Sequence, residues 1–456
     1  MNQALILASC YLPLQGPTLA WRTELAEQLK RRQAGLVLLS TAPAEEVPFP
    51  VVPLPYLLRH FAEWFPGTLP QELPPPSTDS WEAFLLRNDA AWAHDAYPPD
   101  EAWSGFLACQ KVARFLLQTL APGAVLLWNS THPQTAIFQM EGWRAGLPVY
   151  ALERGLLPDT LMVDSWGIQG ASDCLRHWLA HDLALREDVR QIWESASHYY
   201  LTHRPQKYAQ AAFGGGGNEL RRQLGLENRQ VVLLFGQGDA AGLFPREARA
   251  MRQNAPVFAG TRHCLAALKN AVAQIPSAVL LFKPHPLDAA SYADVVGDSV
   301  ICVNGFNVHA LMDMADVVAA QFTTLQYETV FYDKPVLLLG RSAWWGRGCT
   351  YEVNRMEELL PALRAALARE GWNHRRERAQ QFLAWALSEY LIACHPEAPA
   401  RHDLEDLADF LQRASWDSWQ LAPVEVRLWQ ALEQLAQWAE HPHRNDTARK
   451  ASHLSL

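Results

Sequence analysis

The 456-residue chain lacks most of the features that mark a special environment. No apolar run approaches the roughly 20 residues needed to span a bilayer, and the longest, such as Ala124–Trp128 and Val231–Phe235, are strand-sized. No basic stretch precedes the first apolar segment, so Ala4–Ala8 is expected as a strand rather than a secretion signal. Cysteine is scarce: seven residues (10, 109, 174, 264, 302, 349, 394), an odd number, scattered and without any CxxC. A disulfide frame or zinc knuckle needs paired spacing, so reduced thiols and a cytoplasmic compartment are expected. Positive charge is in deficit: 39 Lys and Arg stand against 48 Asp and Glu, a net charge of −9. No nucleic-acid partner read through its phosphates is expected from that balance. Glycine numbers only 25, no heptad persists and 49% of residues are hydrophobic, which excludes collagen, coiled coil and bulk disorder. What the chain has in excess is Trp, at 18, for which packing is the plain explanation and a sugar-stacking surface the functional one.

The length suits two domains rather than one core. An apolar strand, a Pro/Gly turn over 12–18, a helical pattern from Leu19 to Arg32 and a second strand at Gly35–Leu39 read as a βαβ opening. Residues 41–78 are proline-dense and read as irregular. Helical stretches at Trp81–Ala93 and Ala102–Leu120 lead to strand Ala124–Trp128, then helix Pro133–Ala145 and strand Pro148–Leu152. Four consecutive glycines, 214–217, follow a helical stretch; no strand precedes them as a P-loop requires, so they read as a flexible connector. The second half restarts the same grammar, with strands expected at Gln230–Phe235, Ala278–Phe282, Val300–Val303, Val317–Ala320 and Pro335–Leu339. After residue 372 the pattern is helical, ending in an amphipathic helix from Pro423. The expected fold is α/β and GT-B-like, with two Rossmann-type domains facing across a cleft. Residues 1–190 form an acceptor domain, 191–228 a helical and Gly-rich connector, 229–372 a donor domain, and 373–456 a C-terminal helical segment. Fold alone does not decide chemistry.

Ligands of open parallel sheets sit at the carboxyl ends of strands, which makes the strand ends a short list of candidates. Strand 278–282 ends in Lys283-Pro284-His285-Pro286, where flanking prolines stiffen the loop that presents the imidazole; a turn histidine is the plain alternative. Strand 317–320 runs into Thr323-Thr324 and a helix carrying Glu328. Two hydroxyls beside free N–H groups suit an anion, simple N-capping explains one of them, and Glu328 could accept from ribose hydroxyls. Glycines 340, 346 and 348 with Thr350 punctuate the loop after the next strand. Strand 230–235 ends in Gly236-Gln237-Gly238-Asp239, whose carboxylate is either a turn former or a catalytic group. In the first half, Glu153-Arg154-Gly155 ends strand 148–152, and Asn129 and His132 follow strand 124–128 as candidates for holding an acceptor. Glu153 and Asp239 could face each other, as acetal chemistry between paired carboxylates needs. No Asp-x-Asp stands at a strand end, so no metal and no other cofactor is expected; side chains would steady the leaving phosphate.

These elements (Glu153-x-Gly155, the Gln237/Asp239 loop, Lys283-Pro-His-Pro, Thr323-Thr324-x3-Glu328 and GR-x4-G-x-G-x-T) resemble, in order, the KpsC-type retaining β-Kdo glycosyltransferases of capsular polysaccharide and their O-antigen relatives. The resemblance covers residues 124–352, and the HP and hydroxyl-pair elements recur in bacterial sialyltransferases. It implies CMP-β-Kdo as donor, with Lys283, His285, Pro286, Gln237 and the Thr323–Thr324 pair around the CMP phosphate and Glu328 near the ribose. Asp239 would match the family's nucleophile and Glu153 its acid/base. It implies a saccharide or lipid-linked glycan acceptor, and through the latter a peripheral contact with the inner membrane. Leu156–Pro158 stand where the family has an aromatic and Arg-Ser. Two rival readings remain: a CDP-glycerol-type glycerophosphotransferase of polymer synthesis, and a non-catalytic glycan-assembly protein.

Overall fold

A computed structural model describes residues 4–10, 15–40, 47–55, 57–58, 99–129, 133–165, 167–168, 172, 187–208, 211–213, 215–238, 254–286, 288 and 291–414. The expected helices over 81–93 and from Pro423, together with His132 and Asp239, lie outside them.

The first half opens with strand β1 (Ala4–Cys10), helix Gly16–Arg31, β2 (Ala34–Ser40) and the short β3 (Val51–Pro53). Helix Pro99–Leu120 then leads to β4 (Ala124–Trp128), helix Pro133–Arg144, β5 (Val149–Arg154) and β6 (Thr160–Asp164). The second half contains β7 (Gln230–Phe235), β8 (Ala278–Lys283), β9 (Val300–Cys302), β10 (Val317–Ala320), β11 (Val336–Leu338) and β12 (Tyr351–Glu352). A last strand, β13 (Leu391–Ala393), follows helix Trp372–Glu389 and precedes helix Leu404–Ala414.

Two sheets result, ordered β13-β6-β5-β4-β1-β2-β3 and β12-β11-β10-β7-β8-β9. The second is parallel throughout, and the first is parallel from β5 to β3. Helices on both faces explain why the central strands are unbroken apolar runs rather than alternating ones. On one face of the second sheet Val232, Leu234, Leu280 and Phe282 meet Cys264, Leu265 and Leu268; on the other Val231, Leu233 and Leu281 meet Leu311 and Met314. The first sheet is likewise covered on both faces, by helix Gly16–Arg31 on one and helices Pro99–Leu120 and Pro133–Arg144 on the other. This is the α/β, GT-B-type fold expected from the sequence, with two Rossmann-like sheets.

Three features depart from the expectations. A purely helical stretch after residue 372 is corrected: β13 pairs antiparallel with β6, Leu391 opposite Met162. The chain thus returns to the first sheet, and helix Leu404–Ala414 packs on helix Gly16–Arg31, where Arg32 pairs with Glu405 and Asp409. Three residues carry no period for a sequence reading to find. The β6 strand was not expected either, and it too is antiparallel to β5. The 215–217 run is less a loose connector than a close contact. Gly217 donates its N–H to Asp313 Oδ2 (2.6 Å), and a Cβ there would lie 2.5 Å from the Asp313 backbone. Only glycine allows that approach.

A shared apolar cluster joins the halves. Ala151, Leu156 and Met162 of the first sheet's edge pack with Tyr199 and Tyr200, with Tyr327 and Trp344 of the second half, and with Phe382 and Leu387.

Candidate functional site

The winding of each sheet selects where a site can form. In the second sheet the order reverses between β7 and β10, in the first between β1 and β4, and a crevice opens at the carboxyl ends of such strands. The parallel register Phe235↔Lys283 sets the ends of β7 and β8 side by side. Gly236 donates to Lys283 O (2.9 Å), and a Cβ on Gly236 would come within 3.3 Å of the His285 backbone nitrogen. The loops carrying Gln237, His285 and Thr323–Thr324 therefore leave adjacent strands.

Gln237 is buried; its backbone N–H donates to Thr261 Oγ1 (2.8 Å), while its side-chain Nε2 has no hydrogen-bond partner among the described residues. Lys283 is buried and its ammonium holds the next turn, donating to the carbonyls of Asn304 (2.9 Å) and Phe306 (2.8 Å). Burial lowers its pKa. Pro286 lies exposed beyond His285. Burial also lowers the His285 pKa, Asp288 opposes that and Arg154 adds to it, so the imidazole rests neutral near pH 7.

Thr324 starts the short helix Leu325–Glu328 but makes no side-chain cap; its Oγ1 accepts instead from Lys207 Nζ (2.9 Å). The hydroxyl proton is thereby turned away from the ammonium. Thr323 offers its carbonyl to Gln326 Nε2 (2.9 Å) and stays partly exposed. Glu328 is buried below them, 4.0 Å from His309 Nδ1, and burial raises its pKa while Lys207 pulls it back. It stands as a buried partner to the Lys207 charge. His309 accepts or donates at Nδ1 with Tyr332 Oη (3.0 Å), and burial takes its pKa down to about 4.

The first half contributes Glu153 at the end of β5. Its Oε1 accepts from the Arg154 N–H (2.9 Å) and its Oε2 from Asn129 Nδ2 (3.3 Å). Asn129 takes a left-handed backbone (φ 63°), a conformation that asparagine tolerates better than most residues, and its N–H donates to Leu152 O (2.8 Å). Burial raises the Glu153 pKa against the opposing pull of Arg154 and Lys207, which suits a carboxyl group that must both hold and release a proton. Gly155 then turns the chain into β6. A Cβ there would overlap the Thr160 hydroxyl and sit 2.9 Å from its Cβ, so the hairpin that presents Glu153 requires glycine.

The two halves meet through three residues that the sequence reading did not single out. Lys207 Nζ donates to Gly155 O (2.8 Å) as well as to Thr324 Oγ1, so one ammonium touches both halves. Burial lowers its pKa, with Glu328 opposing most strongly. The adjacent Tyr208 ring touches both the Arg154 guanidinium, 5.1 Å from its centroid, and the His285 imidazole, centroids 5.4 Å apart. Glu153, Asn129, His285 and Thr324 are thus brought together around Arg154, Lys207 and Tyr208. Arg154 sat inside a motif already read for its neighbours; Lys207 and Tyr208 stand in a connector with no local pattern to flag them.

No protein-family model matches the chain, and no curated protein matches it. Solved structures do. A KpsC β-Kdo 2,7-transferase of Thermosulfurimonas dismutans is similar at 19% identity over 67% of this chain and 89% of its own, TM-score 0.40. The UDP complex of MnaA from S. aureus matches at 11% identity over 83% and 92%, TM-score 0.36. The glycosyltransferase SnogD of Streptomyces nogalater matches at 13% identity over 90% and 99%, TM-score 0.34. At these identities the likeness is one of fold.

Proposed function

We propose that this protein is a glycosyltransferase that moves Kdo from CMP-β-Kdo to a saccharide or lipid-linked glycan acceptor with retention, in the synthesis of a bacterial surface polysaccharide. The observation that carries the reading is the meeting of Glu153, a carboxyl group whose pKa burial raises, from one half with His285 and Thr324 from the other, around Lys207 and Tyr208. The ordered sequence elements between residues 124 and 352 support the choice of donor.

In the proposed reaction Asp239 attacks the anomeric carbon as the bond to the CMP oxygen breaks, giving a glycosyl ester and CMP. Glu153 takes the proton of the acceptor hydroxyl as its oxygen displaces Asp239 from the opposite face, and two inversions leave net retention. Negative charge gathers on the departing phosphate. His285 and the Thr323–Thr324 hydroxyls are the proposed donors to it, Lys207 adds positive charge behind Thr324, Gln237 lines the same edge, and Glu328 balances Lys207. Lys283 and Pro286 would hold the loop that presents His285. Asn129 is proposed to orient Glu153, and Asn129 with His132 to face the acceptor.

The test is release of CMP from freshly made CMP-Kdo, with the anomeric configuration of the product read by NMR. Wild-type protein is expected to give β-linked product, and D239A to bind CMP with turnover lost. Turnover of CDP-glycerol in place of CMP-Kdo would replace the reading with phosphotransfer; CMP release from neither donor would leave glycan assembly without catalysis.

A further inference from the structure

We propose that Arg154 is the receptor for a carboxylate carried by the donor sugar, and so the residue that selects acid sugars over neutral ones. The proposal deepens the functional reading above and rests on it for the placing of the nucleotide.

Arg154 is half-buried at the end of β5, yet among the described residues its guanidinium makes no ion pair and no side-chain hydrogen bond. Its guanidinium lies over the Tyr208 ring, 5.1 Å from the centroid, a contact that does not use its N–H donors. A guanidinium withdrawn from water is ordinarily paired, because the lost hydration is otherwise uncompensated. Several arginines as well covered have carboxylate partners: Arg32 has Glu405 and Asp409, Arg221 has Asp316, and Arg401 has Asp188 and Glu389, whereas Arg341, like Arg154, rests on an aromatic ring, that of Trp345. The neighbouring Glu153 makes no ion pair with it among the described residues: its oxygens accept from the Arg154 backbone N–H and from Asn129, and burial raises its pKa against the pull of the Arg154 charge.

Position decides which anion fits. The phosphate-facing residues, His285 and Thr324, leave the second sheet, whereas Arg154 belongs to the first and adjoins Glu153. The Tyr208 ring touches both the guanidinium and the imidazole. Because Arg154 follows Glu153 directly on β5, a group bound by it is proposed to lie on the sugar side of the nucleotide, near the reacting carbon. In a 2-ulosonic acid the carboxylate is bonded to the anomeric carbon itself, so recognition of that carboxylate must occur beside the acid/base residue. A carboxylate also matches the guanidinium fork with two parallel hydrogen bonds, which a neutral hydroxymethyl group does not.

The test uses two matched pairs on the whole protein without acceptor: CMP-Kdo against CMP, and UDP-glucuronate against UDP-glucose, with affinities by calorimetry. In wild type the carboxylated member of the bound pair is expected to bind about tenfold tighter or more; in R154Q the ratio is expected to fall to within about twofold, with the partner lacking the carboxylate bound as before. R154K, which keeps charge without the fork, is expected to fall between, and serves where R154Q does not fold. Preference for the UDP pair would refute the cytidine donor while still reading Arg154 through UDP-glucuronate. Equal binding within both pairs, binding of no member, an unchanged ratio in R154Q, or equal loss for both members would each overturn the proposal.

Discussion

The two halves present their site residues by different means. In the first, Glu153 and Arg154 stand on the last two residues of a strand whose partner returns antiparallel after a turn built on Gly155. In the second, Gln237, His285 and Thr324 stand on loops past three parallel strands, and side chains fix those loops: Thr261 under Gln237, Lys283 under the 304–306 turn, Lys207 beside Thr324. A hairpin fixes direction through the backbone and tolerates no added atom at its turn. A loop held by separate polar contacts can lose one and keep the others.

The largest expected effect tests whether the hairpin carries the proton transfer. E153Q keeps shape and the Asn129 contact but cannot take the acceptor proton, and CMP release from CMP-Kdo in the presence of acceptor is expected to fall about 10²- to 10⁴-fold with CMP affinity unchanged. A rate within twofold of wild type would remove Glu153 from the chemistry.

Next comes the hairpin itself. G155A places a methyl against Thr160 and is expected to cost about 2–4 kcal/mol in chemical denaturation, more than any single change in the loops of the second half. A loss below that of T324V would break the comparison.

The second half has its own weak point in acid. Buried His309 titrates at about 4 rather than near its ordinary 6.5, so between those values the unfolded chain binds the proton and the folded chain does not. Stability is therefore complete above the ordinary value and falls as pH drops through this window, by at most about 3 kcal/mol at its lower end. H309Q is expected to flatten that slope in melts between pH 7 and 4; an unchanged slope would assign the acid lability to other groups.

The smallest effect concerns one loop contact. T324V deletes the hydroxyl next to Lys207 and is expected to weaken CMP binding about 3- to 10-fold by calorimetry, while T324S binds like wild type. Equal affinity in both variants would mean the hydroxyl only holds the ammonium.

Much of the scaffold was legible because central parallel strands are covered on both faces and must read as apolar runs. The bounds of β4, β7 and β10 agree with the sequence expectation to the residue. The edges were not legible. β12 and β13 are only two and three residues long, and β13 takes its partner from more than two hundred residues away, so no local period announces it. The strand-end rule singled out Glu153, Gln237, His285 and Thr324, and the structure brings Glu153, His285 and Thr324 together around Arg154, Lys207 and Tyr208. The same rule could not say that Lys283 would spend its ammonium on backbone carbonyls or that Glu328 would lie beneath the surface, since both depend on what the neighbouring loops supply.

The sequence by itself determined the alternation of strand and helix, the twofold repetition of that pattern and the strand ends where polar residues collect, because burial and periodicity are local demands on the chain. Only the tertiary structure decided that Arg154, Lys207 and Tyr208 join those ends. Two sheets had to be packed about one apolar cluster before a connector lysine could touch Gly155 on one side and Thr324 on the other. Charge and stacking act over a few ångströms of space, and no spacing along the chain encodes that distance.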